Sequence, residues 1–128
     1  MEADSAICCI GQASGSIEFP SIRVINDYCC TGCEQITSLV IPDTVSYIGK
    51  EAFSFCINLE AVQIGKTTGL EIMDNAFEEC YELSLLSVEG EVVSIGEDAF
   101  RRDEKLVSVI SSSNVVKEYF KYNHIIGE

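Results

Sequence analysis

Ile48-Gly49-Lys50-Glu51-Ala52-Phe53-Ser54-Phe55-Cys56-Ile57-Asn58-Leu59 returns as Ile72-Met73-Asp74-Asn75-Ala76-Phe77-Glu78-Glu79-Cys80-Tyr81-Glu82-Leu83 and again as Ile95-Gly96-Glu97-Asp98-Ala99-Phe100-Arg101-Arg102-Asp103-Glu104-Lys105-Leu106. A fainter copy precedes them in Ile25-Asn26-Asp27-Tyr28-Cys29-Cys30-Thr31-Gly32-Cys33-Glu34-Gln35-Ile36. The leading isoleucines at 25, 48, 72 and 95 are separated by 23, 24 and 23 residues. A fixed period in this range marks one supersecondary unit per copy. Each unit is unable to bury its apolar residues alone and is therefore stacked on its neighbours. The chain is a solenoid.

The apolar spacing within a copy describes the coil. Leu39 and Ile41, Val62 and Ile64, and Leu86 and Val88 alternate with polar or small residues, which predicts a short strand with one face inward. Pro42, Gly65 and Gly90 then stop each strand. A second apolar stretch follows, Val45 to Ile48 in one copy and Val92 to Ile95 in another. The Ala-Phe-x-x-Cys block is too short for a full helix and is expected to form one helical or 3₁₀ turn, with Phe filling the coil. Successive strands should align as one parallel ladder about 4.8 Å apart. Ser16-Ile17-Glu18-Phe19-Pro20 matches Ser38-Leu39-Val40-Ile41-Pro42, so roughly four and a half coils are expected over 16–110. The segment 111–128 is expected to be a capping helix and tail: Ser111 to Ser113 offer an N-cap, Val116, Tyr119 and Phe120 recur at helical spacing, and Asn123 suits the stop. The segment 1–15 is either a weak cap or a truncated preceding repeat.

Ile41-Pro42-Asp43-Thr44-Val45, Ile48-Gly49, Ala52-Phe53, Cys56 and Leu59-Glu60-Ala61-Val62 resemble the BspA-like class of leucine-rich repeats, whose copies read roughly L-x-x-V-x-I-P-x-x-V-x-x-I-G-x-x-A-F-x-x-C. Two departures stand out. Cys29-Cys30 occupy the Ala-Phe position of the first full copy, and Asp103 occupies the Cys position of the last. The resemblance implies an α/β solenoid, a right-handed leucine-rich-repeat coil with a parallel β ladder, short helical turns and a C-terminal helical cap. It also implies a surface or secreted protein that binds other proteins, with no catalytic residues to carry over.

Composition narrows the partners. Eight basic against 21 acidic residues give a formal net charge of −13, which repels phosphate backbones and anionic membranes. The nearest basic pair, Arg101-Arg102, is followed directly by Asp103-Glu104. No nucleic acid and no membrane insertion are therefore expected, since apolar runs such as Ala6 to Ile10 are far too short to span a bilayer. Met1-Glu2-Ala3-Asp4 is acidic where a secretory leader would be basic, so the chain as given is not expected to direct its own export.

Seven cysteines invite a chemical role. Cys30-Thr31-Gly32-Cys33 is a C-x-x-C, and with Cys8, Cys9 and Cys29 it suggests a Cys-rich metal site or a redox pair. The repeat register offers a simpler account: Cys33, Cys56 and Cys80 share one inward position and Cys29 matches Ala52, Ala76 and Ala99, so each serves as a small buried apolar residue. Cys33, Cys56 and Cys80 are accordingly expected to be reduced and metal-free. His124, the single histidine, is remote in sequence from any nucleophile and is expected at the surface. No catalytic residue, metal ligand or cofactor is expected.

The candidate partner surface is the outward side of the ladder, Ser38, Val40, Ala61, Gln63, Leu85, Ser87, Ser108 and Ile110. Val40, Leu85 and Ile110 are apolar where solvation alone would not require it. The first function this supports is a non-enzymatic protein-binding module, part of a surface adhesin or host-interaction protein. The alternative is a structural spacer or self-assembly unit of a longer solenoid, with self-association through the N-terminal coil at Ile7, Ile10 and Ile17. A metal-binding front end is the third reading.

Overall fold

The computed structural model describes the backbone of residues 5–6 and 15–123, with side chains over 15–121. Two parallel sheets run the length of the solenoid. The first contains β1 (Ser5–Ala6), β3 (Val24–Ile25), β5 (Tyr47–Ile48), β7 (Leu70–Ile72) and β9 (Val92–Ile95), in that order across the sheet. The second contains β2 (Gly15–Glu18), β4 (Ile36–Ile41), β6 (Ala61–Ile64), β8 (Leu85–Val88) and β10 (Ser108–Ser111), again adjacent in sequence order. The sequence pointed to one ladder. The second arises because the short apolar stretch that ends in Ile25, Ile48, Ile72 or Ile95 is also extended and pairs with its copy in the next coil, as Ile25 does with Ile48 and Ile48 with Ile72.

The core is a set of vertical stacks. Leu39, Val62 and Leu86 lie in register on consecutive strands, as do Ile41, Ile64 and Val88, and all are buried. The rings of Phe53, Phe77 and Phe100 are fully buried and nearly parallel, with centroids 5.3 Å and 5.2 Å apart. This aromatic column is closed at both ends. Where the first copy has Cys30 in place of Phe, Phe19 meets Phe53 edge-on at 6.0 Å, and at the far end Phe120 and Tyr119 pack on Phe100 at 5.1 Å and 5.8 Å.

The Ala-Phe-x-x-Cys block is not helical. Its residues form consecutive turns, and the expected short helical turns are replaced by backbone that alternates into the left-handed region at Glu51 (φ 54°) and Phe55 (φ 60°), Asn75 (60°) and Glu79 (59°), and Asp98 (57°) and Arg102 (67°). The physical reason lies in where the N–H groups go. Instead of reaching back four residues, the amides of Glu51, Phe53 and Phe55 donate to the carbonyls of Asp74, Ala76 and Glu78 one coil on, at 3.1, 2.8 and 2.8 Å. Asn75, Phe77 and Glu79 repeat this toward Glu97, Ala99 and Arg101. A left-handed conformation costs roughly 1 kcal/mol or more for a residue with a side chain, and Glu51, Phe55, Asn75 and Glu79 are each held in it by an inter-coil hydrogen bond.

Coils approach closely at one corner. A Cβ on Gly49 would lie 2.4 Å from the Asp27 amide nitrogen, and the Asp27 carboxylate accepts the N–H of Lys50 at 2.9 Å. Gly96 and Asp74 repeat the arrangement, with the Glu97 N–H donating at 2.8 Å. Helix α1 (Asn114–Asn123) covers the last coil as expected: Ser113 precedes it, its carbonyl accepting the Lys117 N–H at 3.1 Å, while Val116 and Phe120 are buried. The Ser113 hydroxyl turns away from the helix to accept the Val92 N–H at 3.4 Å, tying the helix start to the edge of β9.

Candidate functional site

Period-two alternation turns every second residue of the second sheet outward. The pairing places Ser38, Ala61, Leu85 and Ser108 in one row across β4, β6, β8 and β10, and Val40, Gln63, Ser87 and Ile110 in the next. The eight residues singled out in the sequence therefore form two contiguous columns. All are half-buried except Gln63 and Ile110, which are exposed. The columns run on into β2, where Ser16 and Glu18 hold the equivalent places and the Ser38 hydroxyl donates to that of Ser16 at 2.8 Å.

A third outward column lies just past the strand ends and was missed in the sequence, because Pro42 and Gly65 read there only as strand terminators. The ladder continues through it: the Gly65 N–H donates to Ile41 O at 2.9 Å and the Glu89 N–H to Ile64 O at 3.0 Å. Pro42, Gly65 and Glu89 thus stand beside Val40, Gln63 and Ser87, and the two columns enclose a groove of about 260 Å³. Carrying the alternation one residue beyond each strand would have found them.

The cysteine column is chemically quiet. Cys29, Cys33, Cys56 and Cys80 are unoxidised thiols and buried. The Cys56 and Cys80 thiols donate to the carbonyls of Cys30 and Phe53, each at 3.2 Å. Burial pushes the Cys56 thiol up to about 12 and Cys80 well above its ordinary value, so neither supplies a thiolate near neutrality. In native protein these two should resist iodoacetamide at pH 8 and react once urea unfolds the chain, as mass spectrometry of the alkylated peptides would record. Modification of either before unfolding would refute the buried placement. Cys30 differs: it is disulfide-bonded, though not to Cys29, whose sulfur at 3.7 Å is too far for an S–S bond. Among the described residues no cluster of three metal-ligating side chains occurs. Cys8, Cys9, Ile7, Ile10 and His124 lie outside the described residues, whereas Ile17 packs against the core.

Asp103 takes the cysteine place in the last coil and is buried there. One carboxyl oxygen accepts the Cys80 N–H at 2.8 Å and the other, Oδ2, is buried without a partner. Burial, reinforced by the nearby Glu78 and Glu79 and opposed by the Cys80 hydrogen bond, pushes its pKa up to about 9.

Two parallel ladders in a repeating coil define a β solenoid repeat protein. The profile of the BspA type leucine rich repeat region matches residues 15–125 in six copies, and the chain belongs to this family. Its proteins are in general non-enzymatic and engage other proteins. A leucine rich cell surface protein from Faecalibacterium prausnitzii shares the fold, with a TM-score of 0.60 at 19% identity over 97% of this chain. This chain spans 38% of that protein's length. A leucine rich repeat protein from T. pallidum aligns over 84% of this chain and 82% of that one at 13% identity, with a TM-score of only 0.37. Among curated proteins none matches. No helix among the described residues is long and apolar enough to cross a membrane.

Proposed function

We propose that this chain is a non-enzymatic protein-binding module of a surface or secreted protein, engaging its partner through the outward face of the second sheet. One observation carries the reading: none of the eight outward residues on β4, β6, β8 and β10 is charged, in a chain with eight basic and 21 acidic residues. A face meant only for solvent would carry its share of those charges, which lie instead on the turns and at the rim, as Glu18 and Glu89 do. The cell-surface neighbour supports the location, as does the disulfide at Cys30, since such bonds persist in oxidising compartments. The competing reading, a spacer within a longer array, draws on the neighbour's greater length.

Leu85 lies mid-array and points outward. Leu85→Arg should leave the thermal unfolding curve nearly unchanged while weakening partner capture at least tenfold, measured by surface-binding assays against candidate host and bacterial proteins. A folded Leu85→Arg protein that captures its partner as well as the wild type would remove this face. A spacer would show no such loss.

A further inference from the structure

We infer that the groove beside Gly65 receives an aliphatic side chain from an extended, cationic segment of a partner protein, with a neighbouring Lys or Arg of that segment meeting Glu89. This rests on the sheet-face reading above and names the chemistry of the partner. The shape comes first. Gly65 has no side chain and stands in the outward column between Pro42 and Glu89, so it leaves a dip walled by Val40, Gln63 and Ser87. A Cβ there would already lie 3.2 Å from the Asp43 amide nitrogen. The floor is fixed by ladder hydrogen bonds on both sides, so little reorganisation opposes entry.

Size then selects the occupant. About 260 Å³ falls below the roughly 300–1,000 Å³ of sites that enclose a small molecule, and suits one or two side chains of a longer segment lying across the strands. Charge selects the flanking residues. Glu89 is the one charged side chain in the groove; it is exposed and makes no ion pair among the described residues. Asp43 and Lys66 follow Pro42 and Gly65 in the sequence, one charge of each sign, while Glu18 continues the second column at the front. Together with the net charge of −13, this favours a cation at the rim and repels an acidic segment.

The test uses three capped heptapeptides, Gly-Ser-Gly-Leu-Lys-Gly-Ser and versions with Leu-Glu or Ser-Lys at the centre, titrated into ¹⁵N-labelled protein to millimolar concentration at low salt. The Leu-Lys peptide should move the amide signals of Gly65, Gln63 and Ser87 and bind at least fivefold more tightly than the other two. Glu89→Lys should reverse the preference between Leu-Lys and Leu-Glu, and Ser87→Phe, which fills the groove from its edge, should abolish the shifts at Gly65. If the peptides instead shift Leu85 and Ile110 with no regard to charge or to Glu89→Lys, the groove assignment fails and the sheet face stands. If no outward amide moves with any peptide, both fail.

Discussion

Phe77→Ala is expected to cost about 3 to 5 kcal/mol, a large share of the roughly 5–15 kcal/mol that holds an ordinary domain folded. Phe77 is fully buried and is the middle ring of the column, with Phe53 stacked 5.3 Å on one side and Phe100 5.2 Å on the other. Its loss opens a void that neither neighbour can collapse into, because their backbones are pinned by the inter-coil hydrogen bonds from Phe53 to Ala76 and from Phe77 to Ala99. Phe77→Leu should cost clearly less, since it restores most of the volume. Urea unfolding followed by circular dichroism checks both. A shift below about 1 kcal/mol for the alanine variant would contradict the stacked column.

Asp103→Asn is expected to stabilise the protein by at least about 2 kcal/mol at pH 7 relative to the difference at pH 4. The sign follows from the proton. The folded carboxyl holds its proton to about pH 9, whereas the unfolded one releases it near 3.8. The contribution of Asp103 is therefore complete below about pH 4, falls as the pH rises through the window between the two values, and is lost above about 9. Asparagine keeps an acceptor for the Cys80 N–H and has no proton to lose. Asp103→Cys, the residue of the three preceding copies, should flatten the profile in the same way. Urea midpoints measured from pH 4 to 9 for all three proteins decide the matter, and parallel profiles would show that Asp103 is not buried as described.

The family and the outward columns were legible in the sequence because they depend on identities recurring at a fixed step. Phe53, Phe77 and Phe100 occupy one register, and alternation along Ser38 to Ile41 needs nothing beyond strand geometry to assign its faces. The turn conformation was hidden. Ala52, Phe53 and Cys56 have the one-and-four spacing of a helical turn, and only Gly32 among the left-handed positions of the four copies is a glycine that would flag a positive φ. Tyr28, Glu51, Phe55 and Asn75 adopt it because bonds to another coil hold them there, which no local pattern records. The groove was hidden for a related reason: Pro42 and Gly65 ended the strand by composition, yet the Gly65 and Glu89 amides still donate to Ile41 and Ile64 of the preceding coil.

The turn side of the solenoid also gives the molecule a direction of growth. On that side Tyr28, Cys30 and Gly32, then Glu51, Phe53 and Phe55, then Asn75, Phe77 and Glu79 all donate forward, so their peptide dipoles add as in a helix and leave donors at the forward end. In polymer terms each coil is primed to add the next, since Asp98, Phe100 and Arg102 hold the places from which preceding coils donated. Helix α1 acts as the chain terminator of this one-way polymer: the Tyr119 hydroxyl accepts the Phe100 N–H at 3.3 Å, where a further coil would offer a carbonyl. Extending the stack from this end requires that hydroxyl to be displaced first.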